Sequence, residues 1–148
     1  MNDQLVIANG VTVWTLNPHN MALKNNYWEN LLATAFTVFP NVTRVIGDKE
    51  IIVKRGFQSH AYIMQEVDPM ANSDLLKHAK GMAVEFTWKG CTEDELMLVA
   101  SSIFDGSSEA VKIVIDTEEM TVYVSRGTAF STIVEKTFNE SRVIRKAA

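Results

Sequence analysis

The sequence predicts an α+β fold, an antiparallel sheet with helices packed on one face. Three observations predict it. Segments of strand periodicity alternate with segments of helical periodicity along the chain. The clearest strands carry apolar residues on one side only, so each needs a covering layer on one face. An apolar fraction of 47% in 148 residues suits a packed core.

Residues 5–8 and 11–14 flank Asn9-Gly10, a dipeptide that supplies the positive φ values of a tight hairpin turn. Asn17-Pro18 offers a cap and a first-turn proline. A helix over residues 26–39 is defined by Trp28, Leu31, Leu32, Ala35 and Phe39 at helical spacing. Pro40 is expected to end it, because proline brings no amide hydrogen to a helix interior. Residues 42–46 and 50–54 read as strands around Gly47-Asp48-Lys49, and residues 61–64 as another. Residues 73–80 read as a short helix, capped by Ser73 and closed by Gly81.

In the second half Val84, Phe86 and Trp88 alternate with Glu85, Thr87 and Lys89, as in a half-buried strand. Thr92 and Glu95 have capping-box spacing, and the helix they open carries Leu96, Val99, Ala100 and Ile103 on one face. A hairpin follows: Val111, Ile113 and Ile115 alternate with Lys112, Val114 and Asp116, Thr117-Glu118-Glu119 turns, and Met120, Val122 and Val124 return. Residues 130–138 are rich in β-branched side chains and read as a strand, with helix as the alternative, and residues 141–146 as a short final helix.

Residues 1–81 and 82–148 of this one domain then share an order of strand, helix, three-strand meander and short helix. Arg55-Gly56 and Arg126-Gly127 fall at matching points, each followed by a serine, Ser59 and Ser131. A pseudo-symmetric pair of β-α-β-β-β-α halves is one reading, and two ordinary α+β stretches the other. In topology alone the order resembles the duplicated halves of sliding clamps and of the TATA-box-binding saddle. The charges depart from both. The first helix offers little beyond Lys24, the second opens on Glu93-Asp94-Glu95, and Asp116, Glu118 and Glu119 oppose a basic sheet face.

The net charge of −4 argues against a protein that coats nucleic acid through its phosphates. Cys91 is the only cysteine, so neither an internal disulfide nor a thiol-rich metal site is available, and a cytoplasmic location is expected. Met1–Gln4 does not resemble a signal peptide, and no apolar run reaches the length of a membrane span. His19, His60 and His78 are scattered without metal-ligand spacing, and no phosphate-cradling glycine loop occurs, so no metal or cofactor is expected.

The paired Arg-Gly sites carry the most chemistry. Arginine beside a permissive glycine offers guanidinium and backbone donors to a carboxylate or phosphate, so Arg55, Gly56, Arg126 and Gly127 are candidate ligand-binding residues. Trp14 and Tyr123 share their sides of a strand with polar residues and are candidate partner-binding aromatics. Glu118 and Glu119 at a hairpin tip are their acidic counterparts. Cys91 before a helix, with His60 and His78, supplies the parts of a catalytic site only if the fold assembles them. The expected function is therefore a non-enzymatic interaction or regulatory protein acting through a protein partner or self-association. A small acidic accessory protein of a virus or mobile element fits that description. The alternative is a binder of small anionic ligands or nucleotides at the Arg-Gly turns.

Overall fold

The computed structural model describes residues 5–138 and 140–147; Met1–Gln4, Asn139 and Ala148 lie outside them. The chain opens with β1 (Val6–Ala8), β2 (Val11–Thr12), the single turn α1 (Val13–Leu16) and the long α2 (Asn25–Ile46). Next come β3 (Ile51–Arg55), α3 (His60–Tyr62) running into a π-helical turn (Ile63–Val67), and α4 (Ser73–Leu76) tightening into a 3-10 turn (Lys77–Lys80). The rest is β4 (Ala83–Trp88), α5 (Glu93–Gly106), β5 (Val111–Asp116), β6 (Thr121–Arg126), β7 (Thr132–Thr137) and β8 (Glu140–Lys146).

The expected α+β class holds. Strands β3 to β8 form one six-stranded sheet in the order β3-β4-β6-β5-β7-β8, and β1 and β2 pair as a separate hairpin. The sheet is mixed, because β7 lies parallel to β5 while every other neighbouring pair is antiparallel. The parallel pair arises because residues 127–131 cross the start of β5, where Ser131 Oγ accepts from the Val111 amide at 3.1 Å.

Helices α2 and α5 cover one face of the sheet. Leu31, Ala35, Val38, Phe39, Val42 and Ile46 form the buried stripe of α2, and Leu96, Val99, Ala100 and Ile103 that of α5. They pack on the side of the sheet that carries Val84, Phe86, Trp88, Ile113 and Val124. Phe39 meets Phe86 edge-on with ring centroids 5.1 Å apart. Each such side chain contributes roughly 1.5–3 kcal/mol on burial. Thr92 and Glu95 form the expected capping box at the start of α5.

Several elements differ from the sequence reading. Residues 42–46 are not a strand, because α2 continues through Pro40 to Ile46. Val42 and Ile46 extend the stripe at four-residue spacing, and Pro40 lies on the exposed side, so burial outweighs the lost hydrogen bond. Residues 13–14 turn into α1, where Thr12 and Thr15 cap each other. Residues 61–64 are helical behind a Ser59 cap, and Asn72 rather than Ser73 caps α4. Residues 141–146 are the edge strand β8, paired with β7. The halves are not alike, since residues 1–81 give the main sheet one strand and residues 82–148 give it five. Ser59 caps a helix whereas Ser131 secures a crossing loop.

Replacing Pro40 with alanine restores an amide donor for the Phe36 carbonyl. Pro40→Ala is expected to stabilise the protein by about 2 kcal/mol in urea denaturation, the helix-interior penalty of proline less its restriction of the unfolded chain.

Candidate functional site

The sheet face opposite α2 and α5 is only partly covered, by α4, its 3-10 turn and the segment that leads into them from Asp68. Between that cover and the strands lies a concavity of about 660 Å³. Arg55, Glu85, Lys112, Asp116, Tyr123 and Lys136 line it from the sheet, and Asp74 and His78 from the cover.

Strand alternation places most of these groups. On β4, β5 and β6 the residues facing away from the core are Glu85, then Lys112, Val114 and Asp116, then Thr121 and Tyr123. Arg55 arrives differently. Regular alternation after Ile51 and Val53 would aim it at the helices, but a bulge between Val53 and Arg55 sets it opposite Glu85. Gly56 follows it under the backbone of Leu16, where a Cβ would collide with that backbone, and Leu16 O accepts from the Phe57 amide at 2.7 Å.

Many of the polar groups here already have partners. Lys112 Nζ donates to Asp74 Oδ2 at 2.7 Å, and Lys136 Nζ stands 4.0 Å from Asp116 Oδ2. The Tyr123 hydroxyl donates to the Asp74 carbonyl at 2.6 Å, and burial raises its pKa. His78 is buried, with Nδ1 2.9 Å from the Gly56 carbonyl. A carbonyl only accepts, so Nδ1 carries the proton. Burial lowers the His78 pKa to about 4 and keeps the ring neutral at pH 7.

Arg55 and Glu85 stand apart from this pattern. They are cross-strand neighbours, yet neither forms an ion pair among the described residues. Arg55 Nε is buried without an acceptor among those residues. Burial raises the Glu85 pKa, and the charge of Arg55 pulls it partly back.

The other expected site residues have different surroundings. Arg126 follows the regular alternation of β6 and points to the helix side. Its Nε donates to Thr34 Oγ1 at 2.9 Å, its Nη1 to Glu109 at 2.8 Å, and its Nη2 to the Asn30 carbonyl at 3.0 Å. It ties β6 to α2 with its donors engaged, and Gly127 beyond it turns with a φ of 75°. The two Arg-Gly pairs thus end strands at one end of the sheet but serve opposite faces. Tyr123 lies on the uncovered face as expected, yet α4 shelters it to 8% exposure. Trp14 is 57% exposed beside a small groove lined by Val13, Met21, Leu23 and Trp28. Glu118 and Glu119 are exposed at the β5–β6 tip, where their amides donate to Asp116 Oδ1 at 3.0 Å.

Cys91 and His78 are not brought together. Cys91 follows β4 and His78 precedes it, so the length of that strand, roughly 17 Å, separates them. Burial raises the Cys91 pKa, the reverse of an activated thiol. Among the described residues, no group of three or more histidine, cysteine or acidic side chains is placed to hold a metal ion. Among the described residues, no helix is long and apolar enough to cross a membrane.

Glu85, Lys112 and Asp74 were not singled out from the sequence. The alternation of β4 and β5 already put Glu85 and Lys112 on the uncovered face. Asp74 had no such signal, because it comes from the cover. No known family model, curated protein or solved structure matches the chain.

Two outcomes test this placement. Arg126→Ala removes three donors at a buried joint and is expected to cost about 3 kcal/mol in urea denaturation. His78 is neutral when folded and has an ordinary pKa of 6.5 when unfolded, so the unfolded chain binds more protons between pH 6.5 and about 4. Its contribution is fully present above pH 6.5 and falls by about 3 kcal/mol on acidification to pH 4. Glu85 acts in the opposite sense, its raised pKa removing stability as pH rises through the window above the usual carboxylate range. Subtracting the pH–stability profile of His78→Gln from that of the wild type isolates the histidine step.

Proposed function

We propose that the chain is a non-enzymatic binding protein that holds a small polar ligand on the uncovered face of its sheet. The ligand presents an acidic group to Arg55 and a hydrogen-bond donor to Glu85. The observation that carries this reading is Arg55, which lines a concavity of about 660 Å³ opposite Glu85 without an ion-pair partner among the described residues. A guanidinium without a carboxylate partner offers charge-assisted donors to a ligand acid group. Pockets of several hundred Å³ suit small molecules.

A binding role is favoured over catalysis by what the remaining groups do. Lys112 is paired with Asp74, the Tyr123 hydroxyl is committed to a backbone carbonyl, and the neutral His78 is held by Gly56. None is free to carry a proton to or from a bound molecule. Arg126 and Gly127 drop out of the ligand site, leaving Arg55 and Gly56 with Glu85.

A second reading rests on Trp14. A tryptophan 57% exposed beside a groove of mixed apolar and asparagine lining suits a protein–protein contact, and aromatic anchors dominate such contacts. In that reading the chain self-associates or docks on a larger protein, with Glu118 and Glu119 exposed at the far tip.

Thermal-shift screening with amino acids, hydroxy acids, simple carboxylates and nucleotides tests the lead reading. A true ligand at a hundredfold excess over its Kd contributes about 2.7 kcal/mol and raises Tm by roughly 8 °C. Arg55→Ala is expected to abolish the shift. If no compound in the panel stabilises the protein, or Arg55→Ala binds as the wild type does, the lead reading fails. Light scattering on the wild type and Trp14→Ser tests the self-associating form of the second, which requires an oligomer that the variant weakens.

A further inference from the structure

Helix α4 and its 3-10 turn wall two concavities, one on each side. Asp74 and His78 face the cleft already described, while Leu76, Lys77 and Lys80 face a groove of about 500 Å³ against the start of α2. The floor of this groove is apolar. Phe57 is almost wholly buried, Tyr27 lies with its ring centroid 6.4 Å away, and Leu76 completes the surface.

Its polar lining has one sign. Lys24, Lys77, Lys80 and His60 line the groove and no carboxylate does. None of the three lysines forms an ion pair among the described residues. Lys77 Nζ donates to the carbonyls of Arg126 and Gly127 at 3.0 and 3.4 Å, acceptors that fix its position and leave its charge unbalanced. Lys24 Nζ stands 5.6 Å from the centroid of the Tyr27 ring, so charge and aromatic surface are presented together. In a chain of net charge −4, three ammonium groups gathered around an apolar floor are a local reversal of sign.

We propose that this groove binds a small amphiphilic anion, with its apolar body on Phe57, Tyr27 and Leu76 and its acidic head among Lys24, Lys77 and Lys80. The apolar floor supplies the area that an inorganic anion does not use. The lysines supply the charge that a neutral apolar molecule does not need. A volume of about 500 Å³ suits a compact small molecule. The site is independent of Arg55, which lines the other side of α4.

The probe is 8-anilinonaphthalene-1-sulfonate, an apolar anion, titrated into the native protein by fluorescence and calorimetry. The expected result is one site per chain, displaced by decanoate but not by decanol or inorganic phosphate. Lys24 and Lys80 are exposed, so the double variant Lys24→Gln with Lys80→Gln retains the fold, as checked by an unchanged urea transition. It is expected to raise the Kd tenfold or more, while Arg55→Ala leaves it unchanged. The proposal is overturned if the folded protein shows no such site, or if the double variant binds as tightly as the wild type. It is equally overturned if decanol or phosphate displaces the probe as well as decanoate does, or if Arg55→Ala is the change that abolishes binding.

Discussion

The packing of α2 and α5 against one face of a six-stranded sheet is the constraint from which the other features follow. A sheet of this size with alternating strands has one apolar face that must leave water. Leu31 to Ile46 on α2 and Leu96 to Ile103 on α5 supply the surface that covers it. The need is strong enough to carry α2 straight through Pro40. It also determines where charge is tolerated, because a polar group on the covered side must bring its own partners. Arg126 shows how this is met, with Thr34, Glu109 and the Asn30 carbonyl arranged around its guanidinium.

The uncovered side is under no such demand. A short helix and two tight turns shield part of it, and polar groups gather at the boundary between shelter and solvent. One irregularity decides the character of that boundary. Without the bulge in β3, Arg55 would lie on the covered side and need partners of the kind Arg126 has. With it, Arg55 faces Glu85 in a partly sheltered cleft, where its buried nitrogen has no acceptor among the described residues. Two identical dipeptides thus have opposite surroundings, one joining sheet to helix and the other lining a cavity.

Where side-chain periodicity was clean, the sequence was readable. The alternation at Val84 to Trp88, the Thr92–Glu95 cap, the stripe of α5 and the β5–β6 hairpin all have local causes and appear where local rules put them. The misreadings came from tertiary context. Val42 and Ile46 have strand-like composition but complete a helical stripe that starts at Leu31, three turns earlier. Residues 141–146 became a strand because β7 offered an edge with which to pair. The site was half legible: Arg55 drew notice as an arginine beside glycine, and Glu85 sat on a readable face. The bulge that joins them, and the α4 cover that brings Asp74 and His78 over the sheet, depend on long-range packing.

The direction of β4 and β6 has a consequence for how the molecule meets charged solutes. The β5–β6 tip with Asp116, Glu118 and Glu119 lies at the same end of the sheet as Glu93, Asp94 and Glu95, because α5 starts where β4 ends. Lys77, Lys80 and Arg126 lie at the opposite end, beside the start of α2. Glu93, Asp94, Glu118 and Glu119, without ion pairs among the described residues, therefore gather at an acidic pole and Lys77 and Lys80 at a lysine pole, while Lys49 and Lys136 offset part of the charge at the first and Glu109 balances Arg126 at the second. A molecule polarised in this way turns in the field of an approaching ion before contact. Anions are steered to the lysine pole and cations to the acidic tip, and added salt shortens the reach of both effects to within a Debye length, about 8 Å at physiological ionic strength.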